Sequence, residues 1–115
     1  MFYESNNCTL YVKALSSDVI VSFANKTTQD IYEGISSRQS RTIPETVRRV
    51  AVRKLDMVDA AHDLNDLRVP PGNRLEILRG DLSGYYSIRV NDQFRIIFRW
   101  TSGGAHEVEI IDYHS

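Results

Sequence analysis

The chain has 115 residues, of which 42% are apolar and 25% charged, and its formal net charge at pH 7 is −1. This length suits one domain with one core, and no apolar run approaches the roughly 18 residues that span a bilayer. The amino terminus, MFYESNNCTLYVKALSSD, has no basic patch ahead of an apolar stretch, unlike a secretory signal. We therefore expect a cytoplasmic protein.

The small net charge hides a segregation of charge along the chain. Segment 38–54 contains one acid, Glu45, and six basic residues: Arg38, Arg41, Arg48, Arg49, Arg53 and Lys54. Four aspartates follow at closely spaced positions: Asp56, Asp59, Asp63 and Asp66. We expect the molecule to have a basic side, which a phosphate backbone would favour, and an acidic side.

The first half of the chain predicts a strand and two to three helices. Residues 19–23 (VIVSF) are β-branched or aromatic, as strands are. Asn25, Thr27 or Thr28 is expected to cap a short helix that stops at Gly34. After a polar loop at 36–41, Thr42 and Glu45 form a T-x-x-E capping box around Pro44.

A long helix is expected from this start, because apolar residues recur every three or four positions up to Val58, leaving Arg48, Arg49, Arg53 and Lys54 solvated. Residues 62–67 add a further turn or two before the irregular Pro70-Pro71-Gly72-Asn73.

The second half predicts an antiparallel meander of four strands. They alternate or run apolar between Gly, Asn and Asp turns, and they span Arg74–Leu78, Tyr85–Val90, Phe94–Trp100 and Glu107–Asp112. Helices followed by strands give an α+β domain with the helices on one sheet face. We expect this domain to cover residues 19–115 and residues 1–18 to be a loosely attached extension.

The residue patterns do not point to a bound cofactor or metal. The sequence has no P-loop, zinc-ligand spacing or dinucleotide fingerprint. Cys8 is the only cysteine, and His62, His106 and His114 are widely spaced. We therefore expect no cofactor and no metal, and metal-free acid–base catalysis is the simplest chemistry.

Arginines within the two central predicted strands are the first functional signal. Arg89, Arg95 and Arg99 stand among apolar residues, so at least some must project from the open sheet face. Such a face, with tyrosines, suits RNA, because arginine binds phosphate and aromatic rings stack on unpaired bases. Solvated pairing with Asp and Glu is the alternative, and the residues alone do not decide.

Longer motifs resemble a known family. GDLSGYYSIRVNDQFRIIFRW, the closing VEIIDYH, and the upstream KLDMVDAAHDLNDLRVPPGNRLE are similar to the HigB branch of the RelE/ParE toxin superfamily. The resemblance covers residues 20–114 and implies a RelE-like fold. It also implies a ribosome-dependent endoribonuclease that cuts messenger RNA by attack of a ribose 2′-hydroxyl. Its implied partner is a HigA-type helix-turn-helix antitoxin, which alone would contact operator DNA.

The resemblance also implies roles for individual residues. Arg79 and Arg95 would stabilise charge on the scissile phosphate, Tyr113 would stack on a base or orient the phosphate, and His114 would transfer a proton. Asp112 would fix the imidazole or pair with an arginine.

One of the departures from the family pattern bears on proton transfer. Glu76 stands where some relatives have a histidine, so either this carboxylate takes the proton-transfer role or the group that the histidine supplies is dispensable here. The remaining candidates for contact with RNA or the ribosome are all arginines: Arg48, Arg49, Arg53, Arg74 and Arg89.

Two other functions compete with RNA cleavage. A toxin of the same fold could bind DNA gyrase without catalysis, as the ParE branch does, or the chain could be a remnant that only binds an antitoxin. The terminal Tyr113-His114 favours the nuclease, because the gyrase-binding relatives lack a cleaving pair.

Overall fold

The computed structural model describes residues 20–113, so the expected extension at 1–18 and His114 lie outside the described residues. Two α-helices come first, α1 (Lys26–Glu33) and α2 (Glu45–Ala60). Four strands follow: β1 (Glu76–Ile77), β2 (Tyr86–Arg89), β3 (Phe94–Thr101) and β4 (Gly104–Asp112). Short 3-10 turns occupy Ser40–Thr42, Leu64–Arg68, Pro71–Asn73 and Gly80–Leu82.

The predicted antiparallel meander is confirmed. The strands lie in the order β1-β2-β3-β4, and each pairs with the next along the chain. The predicted strand at 74–78 keeps only its middle, because Arg74 adopts a left-handed conformation (φ 48°) after the Pro71–Asn73 turn. At the other edge, the expected first strand is reduced to parallel bridges from Ile20 and Phe23 to β4.

The two helix starts differ in how well the sequence predicts them. Asn25 caps α1 as expected, since its side chain accepts a hydrogen bond from the Thr28 N–H, and Gly34 ends the helix at φ 75°. The capping box predicted for α2 is wrong. Thr42 lies in a 3-10 turn and its hydroxyl donates to the carbonyl of Gln39. The extended backbone of Pro44 (ψ 147°) precedes α2, and its side chain makes no capping bond.

Both helices pack on one face of the sheet, as expected for the α+β class. Apart from Ile97, which is buried outside this core, the core side chains alternate along β2 and β3 and continue at Val108 and Ile110 of β4, so they share the helix-facing side. They include Ile31, Ala51, Leu55, Val58, Ile88, Ile96, Phe98, Val108 and Ile110. Within the described residues, neither helix combines the length and apolar character needed to cross a membrane.

Two expectations about solvated charges are wrong. Asp59, placed in the acidic group, is buried and accepts hydrogen bonds from the Ile20 N–H and the Tyr32 hydroxyl. On α2, Arg48 is half-buried and its guanidinium donates to the carbonyl of Ile43, while Lys54 is half-buried against the loop before β1. These side chains hold segments together because buried polar groups need partners.

Low pH should destabilise the fold in part by protonating Asp30, whose side chain is buried in α1. Hydrogen bonds from Lys26 and Ser37 lower the pKa of Asp30. The carboxylate therefore contributes stability above its unfolded pKa of about 4, and this contribution is lost as the pH falls through its lower folded pKa.

We expect the free energy of unfolding of Asp30→Asn to fall less steeply than that of the wild type between pH 5 and pH 2, measured by urea denaturation. Glu33→Gln, at an exposed carboxylate of the same helix, should keep the wild-type slope. Equal slopes for Asp30→Asn and the wild type would contradict the assignment.

Candidate active site

A cleft of about 510 Å³ opens on the sheet face opposite the helices. It lies where β1, β2 and β3 meet the end of β4, and most of its lining is polar. The lining residues are Gly72, Arg74, Glu76, Arg89, Asn91, Asp92, Arg95 and Tyr113. The structure thus brings together five candidates that the sequence separates by up to 39 positions: Arg74, Glu76, Arg89, Arg95 and Tyr113.

Strand alternation explains how these side chains reach one face. Arg95 lies between Phe94 and Ile96, which enter the core, so its own side chain points away from the helices. Arg89 is its cross-strand partner in β2, and paired residues share a face. Tyr113 stands two residues after Ile111, the partner of Arg95 in β4, and its N–H donates to the Gln93 carbonyl over 2.7 Å.

The guanidinium of Arg95 is the best-held charge in the cleft. It is 8% exposed, and its Nε donates to Ser87 Oγ over 2.8 Å. Its Nη2 donates to the Arg74 carbonyl over 2.7 Å and lies 3.7 Å from Glu76 Oε1. The Tyr113 ring centroid is 5.5 Å from Cζ, within cation–π range. Neither hydrogen bond uses Nη1, which can donate to a further acceptor.

The charges lining the cleft favour an anion. Three arginines face two carboxylates, Glu76 and Asp92, which leaves an excess of one positive charge. Asp92 pairs with Arg89 over 2.5 Å, but its side chain is 99% exposed. Because exposed ion pairs contribute little, Asp92 holds Arg89 only weakly.

Other predicted site residues lie outside the cleft. Arg79 is exposed in the turn after β1. It follows Glu76 by three positions along extended chain, and side chains an odd number of positions apart point to opposite faces. Arg79 therefore points away from the face that Glu76 occupies. Asp112 pairs in register with the core residue Phe94 and accepts a hydrogen bond from Gln93 Nε2. Neither lines the cleft.

The arginines of α2 also lie elsewhere. Arg48 and Arg49 line a separate cavity of about 270 Å³ between the two helices, together with Ile31 and Ile35. Arg49 pairs with Glu45 over 2.8 Å. Arg53 is exposed on the same helix. These side chains form a surface distinct from the cleft.

Arg99 is a strand arginine that fits the alternative expectation, pairing with an acid. It follows Arg95 by four positions on the same sheet face, lies 3.4 Å from a carboxylate oxygen of Glu107 and stacks 4.4 Å from the Tyr85 ring. Arg99 is thus a surface arginine paired with an acid, as the alternative expected. Arg95 differs in being 8% exposed, with both of its hydrogen bonds made to neutral acceptors and Glu76 3.7 Å away.

Sequence reasoning missed several residues that shape the cleft. Ser87 is fully buried beneath Arg95, and Asn91 lies in the β2–β3 turn, where its side chain accepts from the N–H groups of Gln93 and Phe94. Ser87 stands two positions from Arg89 on a strand, and this spacing alone could have placed it on the arginine face. Among residues 20–113, no three His, Cys, Asp or Glu side chains are grouped so that they could hold a metal ion.

A solved structure shares this fold. A solved structure described as the YoeB-YefM complex from Staphylococcus aureus superposes with a TM-score of 0.53 at 17% identity, covering 84% of this chain and 98% of that chain. This likeness supports a RelE-like α+β fold.

Sequence comparison gives the family. Residues 21–114 match the HigB-like toxins, described as RelE-like toxins of the type II toxin-antitoxin system HigB, and the chain belongs to this family. Toxin HigB-1 of Vibrio cholerae is 46% identical over 83 residues, which cover 72% of this chain and 85% of the relative. A protein named Endoribonuclease HigB, from Proteus vulgaris, is 34% identical over 61 residues, covering 53% of this chain and 65% of the relative. As a type II toxin, the chain has an antitoxin as its partner.

Proposed function

We propose that this HigB-type toxin is an endoribonuclease that cuts messenger RNA on the ribosome. The observation that carries the proposal is the buried Arg95 guanidinium, held by Ser87 and the Arg74 carbonyl beside Tyr113 in a cleft with excess positive charge. The name of the Proteus vulgaris relative supports the same activity. The toxin would act in the cytoplasm, and a HigA-type helix-turn-helix antitoxin would silence it and bind operator DNA. Residues 1–18 would extend a toxin domain that begins at residue 19.

The proposed reaction needs no group beyond RNA and protein. The ribose 2′-hydroxyl attacks the adjacent phosphorus, the bond from phosphorus to the 5′-oxygen breaks, and the products carry a 2′,3′-cyclic phosphate and a 5′-hydroxyl. Negative charge grows on the phosphoryl oxygens in the transition state, and preorganised donors stabilise such charge. Arg95 would supply this stabilisation, and Arg74 and Arg89 would hold the flanking phosphates.

Two proton transfers accompany the attack, one from the 2′-hydroxyl and one to the departing 5′-oxygen. We assign one of them to His114, because an imidazole titrates near neutral pH and its neighbour Tyr113 lines the cleft. Glu76, half-exposed beside Arg95, is the candidate for the other. Asp112 would orient the imidazole.

The arginines outside the cleft would contact RNA beyond the scissile phosphate. Arg79, exposed in the turn after β1, would bind phosphate there. The α2 surface would face ribosomal RNA through Arg48, Arg49 and Arg53.

Substitutions of Tyr113 should separate the function of its ring from that of its hydroxyl. We expect Tyr113→Ala to lower kcat/KM for cleavage of ribosome-bound message by about 10- to 100-fold, because base stacking contributes about 1–3 kcal/mol. Tyr113→Phe keeps the ring and should stay within a few-fold of the wild type. If the phenylalanine variant lost as much activity as the alanine variant, the hydroxyl rather than the ring would be the working group.

The activity itself is tested by mapping RNA 5′ ends after brief induction of the wild type and of His114→Ala. The wild type should produce new ends within translated messages, and the variant should produce few. If the wild type gives growth arrest with no new RNA ends, the nuclease proposal fails and gyrase becomes the target to assay. If it gives neither, the chain is a remnant that only binds its antitoxin.

A further inference from the structure

A fully buried amide lies between α2 and the cleft. Asn73 has 0% exposure, and its Nδ2 donates to the Leu67 carbonyl over 3.1 Å and to the Val69 carbonyl over 3.4 Å. Its Oδ1 accepts from Lys54 Nζ over 2.5 Å. Nδ2 also lies 3.7 Å from Met57 Sδ. Carbonyls only accept and an ammonium only donates, so the two carbonyls and Lys54 fix the orientation of the amide.

Asn73 directly precedes Arg74, whose backbone has an unusual conformation. Arg74 has φ 48°, a left-handed conformation that a residue with a side chain rarely adopts and that persists when its surroundings impose it. The Arg74 N–H donates to the Pro71 carbonyl, and the Arg74 carbonyl accepts from Arg95 Nη2 over 2.7 Å. The hydrogen bond from Lys54 on α2 to Asn73, the peptide bond from Asn73 to Arg74, and the hydrogen bond from Arg95 to the Arg74 carbonyl thus connect α2 to the Arg95 guanidinium.

Lys54 belongs to this arrangement although its role is not visible in the sequence. Burial lowers the pKa of Lys54, and the positive charges of Arg53 and Arg89 lower it further. Arg89 lines the cleft, so the ammonium lies within electrostatic reach of the site.

We propose that Asn73 is a positioning residue for RNA cleavage: held by Lys54, it fixes the backbone of Arg74 and thereby orients the guanidinium of Arg95. This inference rests on the proposed function, in which Arg95 stabilises the transition state. Asn73 itself does not line the cleft, so its effect reaches the RNA through Arg95.

The test uses the full-length Asn73→Asp variant. Aspartate has the same size and keeps the bond to Lys54, but it presents a carboxylate oxygen in place of the two N–H donors to the Leu67 and Val69 carbonyls. Kinetics of cleavage on message-programmed ribosomes should show kcat reduced about 100-fold, as expected for a displacement near 1 Å, with KM changed only a few-fold. Asn65→Asp is the matched control, because Asn65 is exposed and its Oδ1 only accepts from Arg68 Nε. It should keep wild-type kcat.

A double substitution separates positioning from a general loss of structure. In an Arg95→Lys background, Asn73→Asp should lower kcat by less than about three-fold, because coupled residues are non-additive. A full 100-fold loss in both backgrounds would overturn the inference. Should Asn73→Asp fail to fold, Lys54→Met, which removes the donor to Oδ1, should give the same kcat-selective loss, about 10-fold. Wild-type kcat in Lys54→Met would then overturn the inference.

A final readout is independent of RNA. Hydrogen exchange of the Arg95 Nε–H, followed by ¹⁵N NMR, should be slow in the wild type, where this group is bonded to Ser87, and at least about 10-fold faster in Asn73→Asp. Unchanged exchange overturns the positioning inference and leaves the nuclease proposal standing. If exchange is faster in Asn73→Asp but the wild-type protein cuts no RNA, the nuclease proposal has failed while Asn73 still positions Arg95.

Discussion

Arg95→Ala should reduce RNA cleavage by about 100- to 1,000-fold in kcat, the loss seen when one preorganised donor to transition-state charge is removed. The expectation follows from geometry. Arg95 is 8% exposed, is held at Nε and Nη2, and lies in the cleft. Its fixed guanidinium needs little reorganisation when charge develops on the phosphate. The measurement is single-turnover cleavage of a labelled message on purified ribosomes.

A matched control lies on the same strand and face. Arg99→Ala removes a guanidinium that pairs with Glu107 and stacks on Tyr85, and its kcat should stay within a few-fold of the wild type. Because Arg95→Ala leaves the buried Ser87 hydroxyl without its donor, about 1–3 kcal/mol of stability should be lost as well. Activity should therefore be compared well below both melting temperatures. Retention of more than a tenth of wild-type kcat by Arg95→Ala would contradict its assigned role.

Phe98→Ala should have the largest effect on stability, about 3–5 kcal/mol in the free energy of unfolding. Phe98 is 0% exposed at the centre of β3, and its ring contacts those of Tyr86 and Trp100 at centroid distances of 6.2 and 6.3 Å. Removing the ring leaves a cavity between the sheet and the helices. Domains of this kind are stable by about 5–15 kcal/mol, so the variant should remain folded with little margin.

Urea unfolding followed by circular dichroism checks this expectation. Ile77→Ala serves as the comparison, because Ile77 is 64% exposed at the sheet edge and should change stability by less than about 0.5 kcal/mol. A loss below about 1 kcal/mol for Phe98→Ala would show that the core is centred elsewhere.

Local sequence signals predicted the helices and strands well where a single local interaction determines the structure. Asn25 and Gly34 bound α1 as expected, since a cap and a left-handed terminus depend on neighbouring residues only. The meander follows from alternation and turn residues. The capping box failed because Thr42 is used in a preceding 3-10 turn, a competition that the T-x-x-E pattern does not reveal.

The composition of the cleft was harder to predict, because it depends on register and on one strained turn. Glu76, Arg95 and Tyr113 were expected from family motifs, and the register brings them together. Arg79 was also predicted to belong to the site, but the alternation of side chains along the strand directs it to the face opposite the cleft. Asn73 looked like part of an irregular connection, and only the three-dimensional contacts show it bonded to α2 beneath the site.

The central claim is tested most directly by incubating the purified toxin with messenger RNA, with and without ribosomes. The buffer is treated with EDTA, and magnesium is added back only to the reactions that contain ribosomes, which require it. The chemical groups at the ends of the cut RNA are then identified. We expect cuts that depend on the ribosome, carry 2′,3′-cyclic phosphate and 5′-hydroxyl ends, and nearly vanish with Arg95→Ala. Ends bearing a 5′-phosphate and a 3′-hydroxyl, or no cleavage by the wild type, would contradict it.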